Sequence, residues 1–139
     1  TRPHRKLVAD RLQAAVDSLR ATDDDPMIII AGDFNEGGDG PSVRQICSDG
    51  LTDVSANATG SGQAKGTYKY KGRWENIDHI ITSRRLASKL RSCHILDATF
   101  LLEPDEKYGG AQPLRTYRAW RYRKGYSDHL PLVARFSLR

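Results

Sequence analysis

The stretch at residues 27–41, MIIIAGDFNEGGDGP, constrains the fold more than any other part of the chain. Its first five residues, 27–31, are all apolar and rich in isoleucine, a pattern that predicts a β-strand covered on both faces. This apolar run stops at once, and the next residues include Asp33 and Asn35. A strand that ends in a carboxylate and an amide places these two groups at the edge of a sheet, where they can meet a ligand.

An amphipathic helix is predicted before this strand, over residues 4–20. Apolar side chains recur there at helical spacing, and charged side chains lie largely on the opposite face. The acidic run at 23–25, followed by Pro26, ends the predicted helix. A helix followed by a covered strand is typical of a layered α/β protein.

The remaining predicted elements are short and follow from turn residues and apolar alternation. In chain order they are a helix at 41–48, a strand at 51–54, a loop at 57–66, a β-hairpin over 67–83 that turns at Lys71-Gly72, a helical turn at 86–90, an extended segment at 93–102, a long polar connection at 103–126 and a final strand at 130–138.

Length and composition fit a single domain. With 139 residues the chain can bury a sizeable core, and no apolar run reaches the length that spans a membrane. The formal net charge of +5 favours polyanionic partners in a non-specific way.

The chain begins with Thr1 instead of Met, so we expect a processed or excised piece. Cys47 and Cys93 show neither metal-type nor redox-type spacing, and we expect two unpaired thiols, with one disulfide as the alternative.

Three segments place compact polar groups beside apolar strands: GDFN at 32–35, NIDHI at 76–80 and YSDHLPL at 126–132. Together they supply the groups that phosphate-ester hydrolysis needs. A carboxylate binds Mg²⁺ or accepts a proton from the attacking water. An imidazole donates to a phosphoryl oxygen, and a second carboxylate fixes the orientation of that imidazole. The candidate residues are Asp33, Asn35, Asp78, Asp128 and His129.

In this order, the three motifs resemble the signature of the endonuclease/exonuclease/phosphatase superfamily, the DNase I-like hydrolases. Its members include nucleases, sphingomyelinases and inositol polyphosphate phosphatases. The resemblance covers most of the chain, from the first helix through the last strand. It implies an α/β fold, a four-layer sandwich of mainly antiparallel or mixed β-sheets with flanking helices. It also implies a phosphoesterase that depends on Mg²⁺ or Mn²⁺.

The resemblance assigns a role to each candidate residue. Asp33 matches the aspartate that orients or deprotonates the attacking water and contributes to the metal region, and Asn35 matches the amide that contacts water and phosphate. Asp128 matches an acidic residue of the metal region. His129 matches the histidine that stabilises the phosphorane or assists the leaving group, and Asp78 matches the aspartate that orients this histidine.

Domains of this family are about twice as long as this chain. The family's first half supplies an Asn, the principal metal-binding Glu and a second His, and no matching motif occurs here. We therefore expect residues 1–139 to be the C-terminal half of such a domain, inactive when separated from the N-terminal half and able to pair with a copy of itself. His79 and His94 are expected in structural or solvent-facing positions.

The polar connection before the last motif interleaves basic and aromatic residues. This composition suits phosphate contacts and ring stacking, and a solvated loop with locally packed aromatics is the alternative. Trp74 is a further candidate, with plain packing in the hairpin as its alternative. The candidate substrate-binding residues are Trp74, Arg115, Arg118, Trp120 and Arg121.

The sequence thus predicts a metal-dependent hydrolase of phosphate esters. Phosphodiesters, including nucleic acid, are the first expectation for the substrate. Phosphomonoesters of inositol phosphates, or phospholipid head groups, are the alternative. A binding module of the same fold that holds a polyanion without cleaving it is the competing function from another class.

Overall fold

A computed structural model describes residues 1–139. Three α-helices, one 3₁₀ turn at Thr99–Leu101 and eleven short strands make up the chain. The helices are α1 (Arg2–Thr22), α2 (Pro41–Cys47) and α3 (Arg84–Ala87), and the strands are β1 (Ile29–Asp33), β2 (Leu51–Asp53), β3 (Tyr68–Tyr70), β4 (Arg73–Glu75), β5 (Asp78–Ser83), β6 (Leu90–Ile95), β7 (Leu102–Pro104), β8 (Ala111–Pro113), β9 (Tyr117–Arg118), β10 (Arg121–Tyr122) and β11 (Leu132–Phe136).

The predicted α/β fold class is confirmed, and all strand pairs are antiparallel. The amphipathic helix α1 extends two residues beyond its predicted limits at each end. It begins next to Pro3, which suits a first helical turn because no hydrogen-bond donor is needed there. Asp23, in extended conformation, ends the helix.

The central sheet has the strand order β1-β5-β2. One side of it packs against α1 and α2 around a core in which Ile81 of β5 is completely buried. The register places Asp33 of β1 directly opposite Asp78 of β5. Two of the three sequence motifs are therefore joined by strand pairing, at the same end of the sheet.

The prediction that the apolar run is covered on both faces is wrong. Strand β1 is an edge strand of the sheet, and Ile29 is 56% exposed. Ile28, which precedes the strand, is buried, and Ile30 packs only partly against the core. Because a run of isoleucine has no alternating polar residues, its pattern does not show whether one face or both faces of the strand are covered.

The predicted hairpin over 67–83 contains three strands instead of two. Strands β3 and β4 form the hairpin, and its turn at Lys71 and Gly72 is confirmed by positive φ angles of 47° and 82°. The chain leaves the hairpin after β4, and β5 pairs with β1 and β2. Asp78 therefore belongs to the central strand of another sheet.

The connection at 103–126 is not a structureless loop. It contains two short hairpins, β7–β8 and β9–β10. Gly125 allows the base of the second hairpin to close, because a Cβ atom there would collide with the carbonyl oxygens of Leu114 and Arg115. The predicted extended segment at 93–102 is also interrupted, by the 3₁₀ turn. These strands are only two or three residues long, which is too short for an alternating pattern of apolar and polar side chains to be recognised in the sequence.

A second, smaller core lies beneath the loops. It is built around Ile95 of β6 and Leu130, and the closing strand β11 pairs with β6.

Cys47 packs against the first core and Cys93 against the second, and both are free thiols. Burial raises the pKa of both thiols, so they stay protonated at neutral pH. No helix has both the length and the apolar character needed to cross a bilayer.

Replacement of Ile81 by alanine should lower the free energy of unfolding by about 2–5 kcal/mol, because it leaves a cavity in a fully packed site. Urea unfolding followed by circular dichroism measures this change. Ile29→Ala in the neighbouring strand is the matched control and should change stability by less than about 0.5 kcal/mol, since Ile29 is largely exposed. Equal losses in the two variants would contradict the described core.

Candidate active site

The structure brings three acid–base groups together at one end of the central sheet. The ligand atoms of Asp33, Asp78 and His129 all lie within 4.8 Å of one another. Strand pairing supplies the two aspartates, and the segment before β11 supplies the histidine. The three sequence motifs therefore converge on a single site.

His129 is held by hydrogen bonds on its ring and its backbone. Its Nδ1 atom lies 2.7 Å from Oδ2 of Asp78, and the Thr67 hydroxyl donates to the same oxygen. The backbone N–H of His129 donates to Oγ of Ser127 at 3.0 Å. The Tyr68 ring lies beside the imidazole, with 5.0 Å between centroids. Because Asp78 accepts from Nδ1–H, Nε2 is left to face the site.

Asp33 and Asn35 form a tight turn at the end of β1. The N–H of Asn35 donates to Oδ1 of Asp33 at 2.8 Å, and its side-chain amide lies 3.4 Å from Oδ2. Asn35 has a φ of 52°, which asparagine tolerates better than most residues. This local geometry explains why an Asn follows the aspartate by two residues. It directs both polar groups toward the same space.

The gap between Asp33 and His129 is of chemical interest. Oδ2 of Asp33 lies 3.9 Å from Nε2 of His129, which is too far for a hydrogen bond. The side chains are 40% and 25% exposed, so solvent and ligand can reach both. A water molecule or a phosphoryl oxygen beside the gap, about 2.8 Å from each of the two atoms, can contact the carboxylate and the imidazole at once.

Asp128 lies outside the group formed by Asp33, Asp78 and His129. Its side chain is exposed and lines a shallow cavity of about 290 Å³ together with Arg115. Its proposed role in the metal region stays a prediction.

The candidate substrate-binding residues fall into two groups. Arg115 and Arg118 line a larger cavity beside Tyr68, whereas Trp120 is 93% exposed at the tip of the β9–β10 hairpin. Arg121 lies directly opposite Arg118 in that hairpin. Trp74 is half-buried and packs against the second core, as its alternative interpretation predicted.

Thr67 and Tyr68 were not among the candidates from the sequence. Thr67 is fully buried and donates to Asp78, and Tyr68 forms an isolated β-bridge with His129. Their signal in the sequence is weak, because a Thr-Tyr pair at the start of a strand is ordinary β composition. Only the pairing of distant segments shows that they support the site.

His79 occupies a structural position, as expected, while His94 is exposed. The His79 side chain is 2% exposed, with Nδ1 2.8 Å from Oδ2 of Asp53 and Nε2 2.8 Å from the carbonyl oxygen of Glu36. Only the protonated ring can donate to both acceptors. Burial disfavours the charge, but the hydrogen bonds to Asp53 and Glu36 outweigh it and raise the pKa of His79. His79 thereby fixes the segment that follows Asn35.

Stability should depend on the protonation of His79. Because its pKa is raised in the folded state, its stabilising contribution is fully present below the unfolded value of about 6.5 and is lost as pH rises through the folded pKa. The difference in free energy of unfolding between the wild type and His79→Gln should therefore shrink from pH 6 to pH 9. Urea titrations at each pH measure it, with His94→Gln as the exposed control. A difference that widens with pH would contradict this arrangement.

Comparisons with known proteins identify the family and the fold of the chain. The model of the "Endonuclease/Exonuclease/phosphatase family" matches residues 1–137. Among solved structures, a mannosyl-6-phosphatase of Bacteroides thetaiotaomicron superimposes with a TM-score of 0.67 at 20% identity, covering 99% of this chain and 47% of its own. An endonuclease/exonuclease/phosphatase family protein of the same organism superimposes with a TM-score of 0.66 at 21% identity. This match covers 100% of the present chain and 48% of that protein. No curated protein matches in sequence.

The chain thus spans about half the length of the solved structures that it matches. Both of them share its fold over nearly its whole length. The family model covers all but the last two residues and includes the three motifs that meet at Asp33, Asp78 and His129. The chain belongs to the endonuclease/exonuclease/phosphatase family.

Proposed function

We propose that this protein hydrolyses phosphate esters by in-line attack of a water molecule at the site formed by Asp33, Asp78 and His129. The observation that carries the proposal is the 3.9 Å gap between Oδ2 of Asp33 and Nε2 of His129. An oxygen atom beside this gap can lie within hydrogen-bond distance of the base and of the donor at the same time. Membership of a family of phosphate-ester hydrolases supports the same reaction.

The proposed mechanism assigns a role to each residue of the site. Asp33 accepts the proton of the attacking water or orients that water, and the amide of Asn35 donates to a phosphoryl oxygen. The Nε2–H of His129 stabilises charge on the phosphoryl group as the pentavalent state forms. Asp78 accepts from Nδ1–H, which keeps the ring oriented.

The side chains present are compatible with part of a magnesium site. Hard cations prefer carboxylate oxygens and keep several waters. Oδ2 of Asp33 has only a weak contact at 3.4 Å with the Asn35 amide, whereas Oδ2 of Asp78 already accepts two hydrogen bonds. We propose that Asp33 and Asp128 hold Mg²⁺ or Mn²⁺ together with a Glu of the N-terminal half. The bound ion would supply positive charge to the phosphoryl oxygens and the leaving group.

A phosphomonoester of a small alcohol is the substrate that we propose ahead of nucleic acid, which reverses the order expected from sequence. The larger cavity beside Tyr68 is lined by six cations and three carboxylates. Together these groups supply hydrogen-bond donors and acceptors, which suits a small polar molecule. The superposition on a protein described as a mannosyl-6-phosphatase supports a small phosphomonoester as well.

Parallel assays of the full-length protein with Mg²⁺ test the proposal. We expect phosphate release from hexose 6-phosphates or inositol phosphates, loss of this release with EDTA, and little nicking of plasmid DNA. Rapid nicking would instead identify a nuclease. Polyanion binding without any cleavage would favour a non-catalytic binding module.

We further propose that residues 1–139 are inactive when separated from the N-terminal half. The chain holds the water-orienting and histidine groups, while the principal metal-binding Glu of the family has no counterpart motif in it. The purified 139-residue chain should show no turnover above background with Mg²⁺. Robust metal-dependent turnover by this chain would show that its own residues complete the metal site.

A further inference from the structure

We propose that the cavity of about 480 Å³ beside Tyr68 binds the polyhydroxylated ring of a sugar phosphate whose phosphate group lies at Asp33 and His129. This inference rests on the proposed function and specifies its substrate class. The cavity is enclosed by residues of three hairpins, β3–β4, β7–β8 and β9–β10.

Tyr68 connects the cavity with the catalytic group. Its ring lies beside the His129 imidazole and also forms part of the cavity wall. The Arg115 guanidinium lies over the same ring, 5.6 Å from its centroid, and donates to the carbonyl oxygen of Lys69 at 3.3 Å. In our proposal, a phosphate ester held at His129 extends its alcohol part past Tyr68 toward the cavity.

The floor of the cavity is a fixed structure. Nζ of Lys69 lies 2.9 Å from Oδ2 of Asp105, and both side chains are 5% exposed. The same ammonium donates to the carbonyl oxygens of Gly109 and Ala111 at 2.8 and 3.0 Å. Its three donors are all used, so Lys69 joins two hairpins and has no free donor for a ligand.

Two of the six cations around the cavity, Lys69 and Arg123, have a carboxylate partner. Arg123 forms an ion pair with Glu103 at 3.0 Å. Lys71 and Lys107 lie over the rings of adjacent tyrosines, 5.3 and 5.2 Å from the centroids. Arg118 is the one lining cation that has neither a carboxylate nor an aromatic ring as partner.

The remaining groups suit hydroxyls. Gln112 donates its amide N–H to Glu103, which leaves its side-chain oxygen as a free acceptor. The exposed carboxylate of Glu106 has no hydrogen-bond or ion-pair partner, and Arg118 offers free donors. The rings of Tyr108 and Tyr117 line the same space. A few free donors and acceptors among aromatic rings match a ring that has hydroxyls on its edge and C–H groups on its faces.

Calorimetric titration of the full-length His129→Ala protein tests the inference without turnover. The ligands are mannose 6-phosphate, glucose 6-phosphate, phenyl phosphate and adenosine 5′-monophosphate. At least one hexose phosphate should bind about tenfold more tightly than phenyl phosphate, which corresponds to about 1.4 kcal/mol. Tyr117→Ala and Arg118→Ala, each added to that protein, should weaken hexose phosphate binding about five- to tenfold and leave phenyl phosphate unchanged.

Phe100→Ala is the matched control. Phe100 is an aromatic residue as exposed as Tyr117, at 59% against 58%, but it does not line the cavity. The control should bind every ligand as the parent does. The inference is overturned if phenyl phosphate binds as tightly as the sugars, if Tyr117→Ala and Arg118→Ala weaken both ligand types equally, or if the nucleotide binds best. Because binding is measured here, hydrolysis of p-nitrophenyl phosphate by the wild type separately decides the proposed reaction.

Discussion

His129→Ala in the full-length protein should lower kcat for phosphate esters on the order of 10³-fold, within the range of general acid–base catalysis. The substitution removes the only imidazole that faces Asp33 across the open gap. It also leaves Asp78 with the Thr67 hydroxyl as its donor, so the carboxylate keeps a partner. Steady-state kinetics and thermal unfolding measure the two effects, and the melting temperature should shift by only about 2–4 °C.

His94→Ala provides the control for this experiment. His94 is an exposed histidine on β6, outside the group of three, and its removal should change neither kcat nor the melting temperature. If His129→Ala retains wild-type turnover, the role of its imidazole in the proposed reaction is wrong. If it unfolds the protein, His129→Asn, which retains a hydrogen-bonding side chain, repeats the measurement in a folded variant.

Asp33→Asn should reduce kcat by a similar factor, on the order of 10³, through loss of the proton acceptor and of one metal ligand. The shape of the side chain is unchanged, and the amide oxygen can still accept from the N–H of Asn35. Stability should therefore stay close to that of the wild type. The reduction should appear in kcat, with a weaker activation by Mg²⁺ in a metal titration.

Asp23→Asn tests whether the effect belongs to the site. Asp23 makes the same type of turn, accepting from the N–H of Asp25 at 3.0 Å, but at the end of α1. It should leave kcat and the magnesium dependence unchanged. Equal activity of Asp33→Asn and Asp23→Asn would remove Asp33 from the mechanism.

Much of the candidate site can be predicted from local sequence because each motif combines a strand with polar residues at its end. Asp33 and Asp78 are brought face to face by the pairing of β1 with β5. The prediction missed that β5 leaves its hairpin for the central sheet, because period-two patterns show which residues form strands but not which strand pairs with which. The supporting roles of Thr67 and Tyr68 depend on this non-local pairing.

The edge position of β1 was equally hidden in the sequence. Burial depends on what packs against a strand, and Ile29 is exposed although its neighbour Ile28 is buried.

The hairpins within 103–126 were missed for another reason. Their strands are only two or three residues long, and the ion pair between Arg123 and Glu103 joins residues 20 positions apart. Composition alone suggested substrate contacts in this region, with a solvated loop as the alternative, and gave no geometry for it.

The open edge of β1 has a practical consequence for preparing the 139-residue chain. Its outer backbone donors and acceptors face no neighbouring strand, and neither Lys nor Pro interrupts the sequence Ile29–Asp33. Native proteins use such residues to discourage intermolecular pairing. Stocks of the isolated chain should therefore lose monomer as they are concentrated, by growth of new sheet along this edge, and a lysine at position 29 should slow the loss.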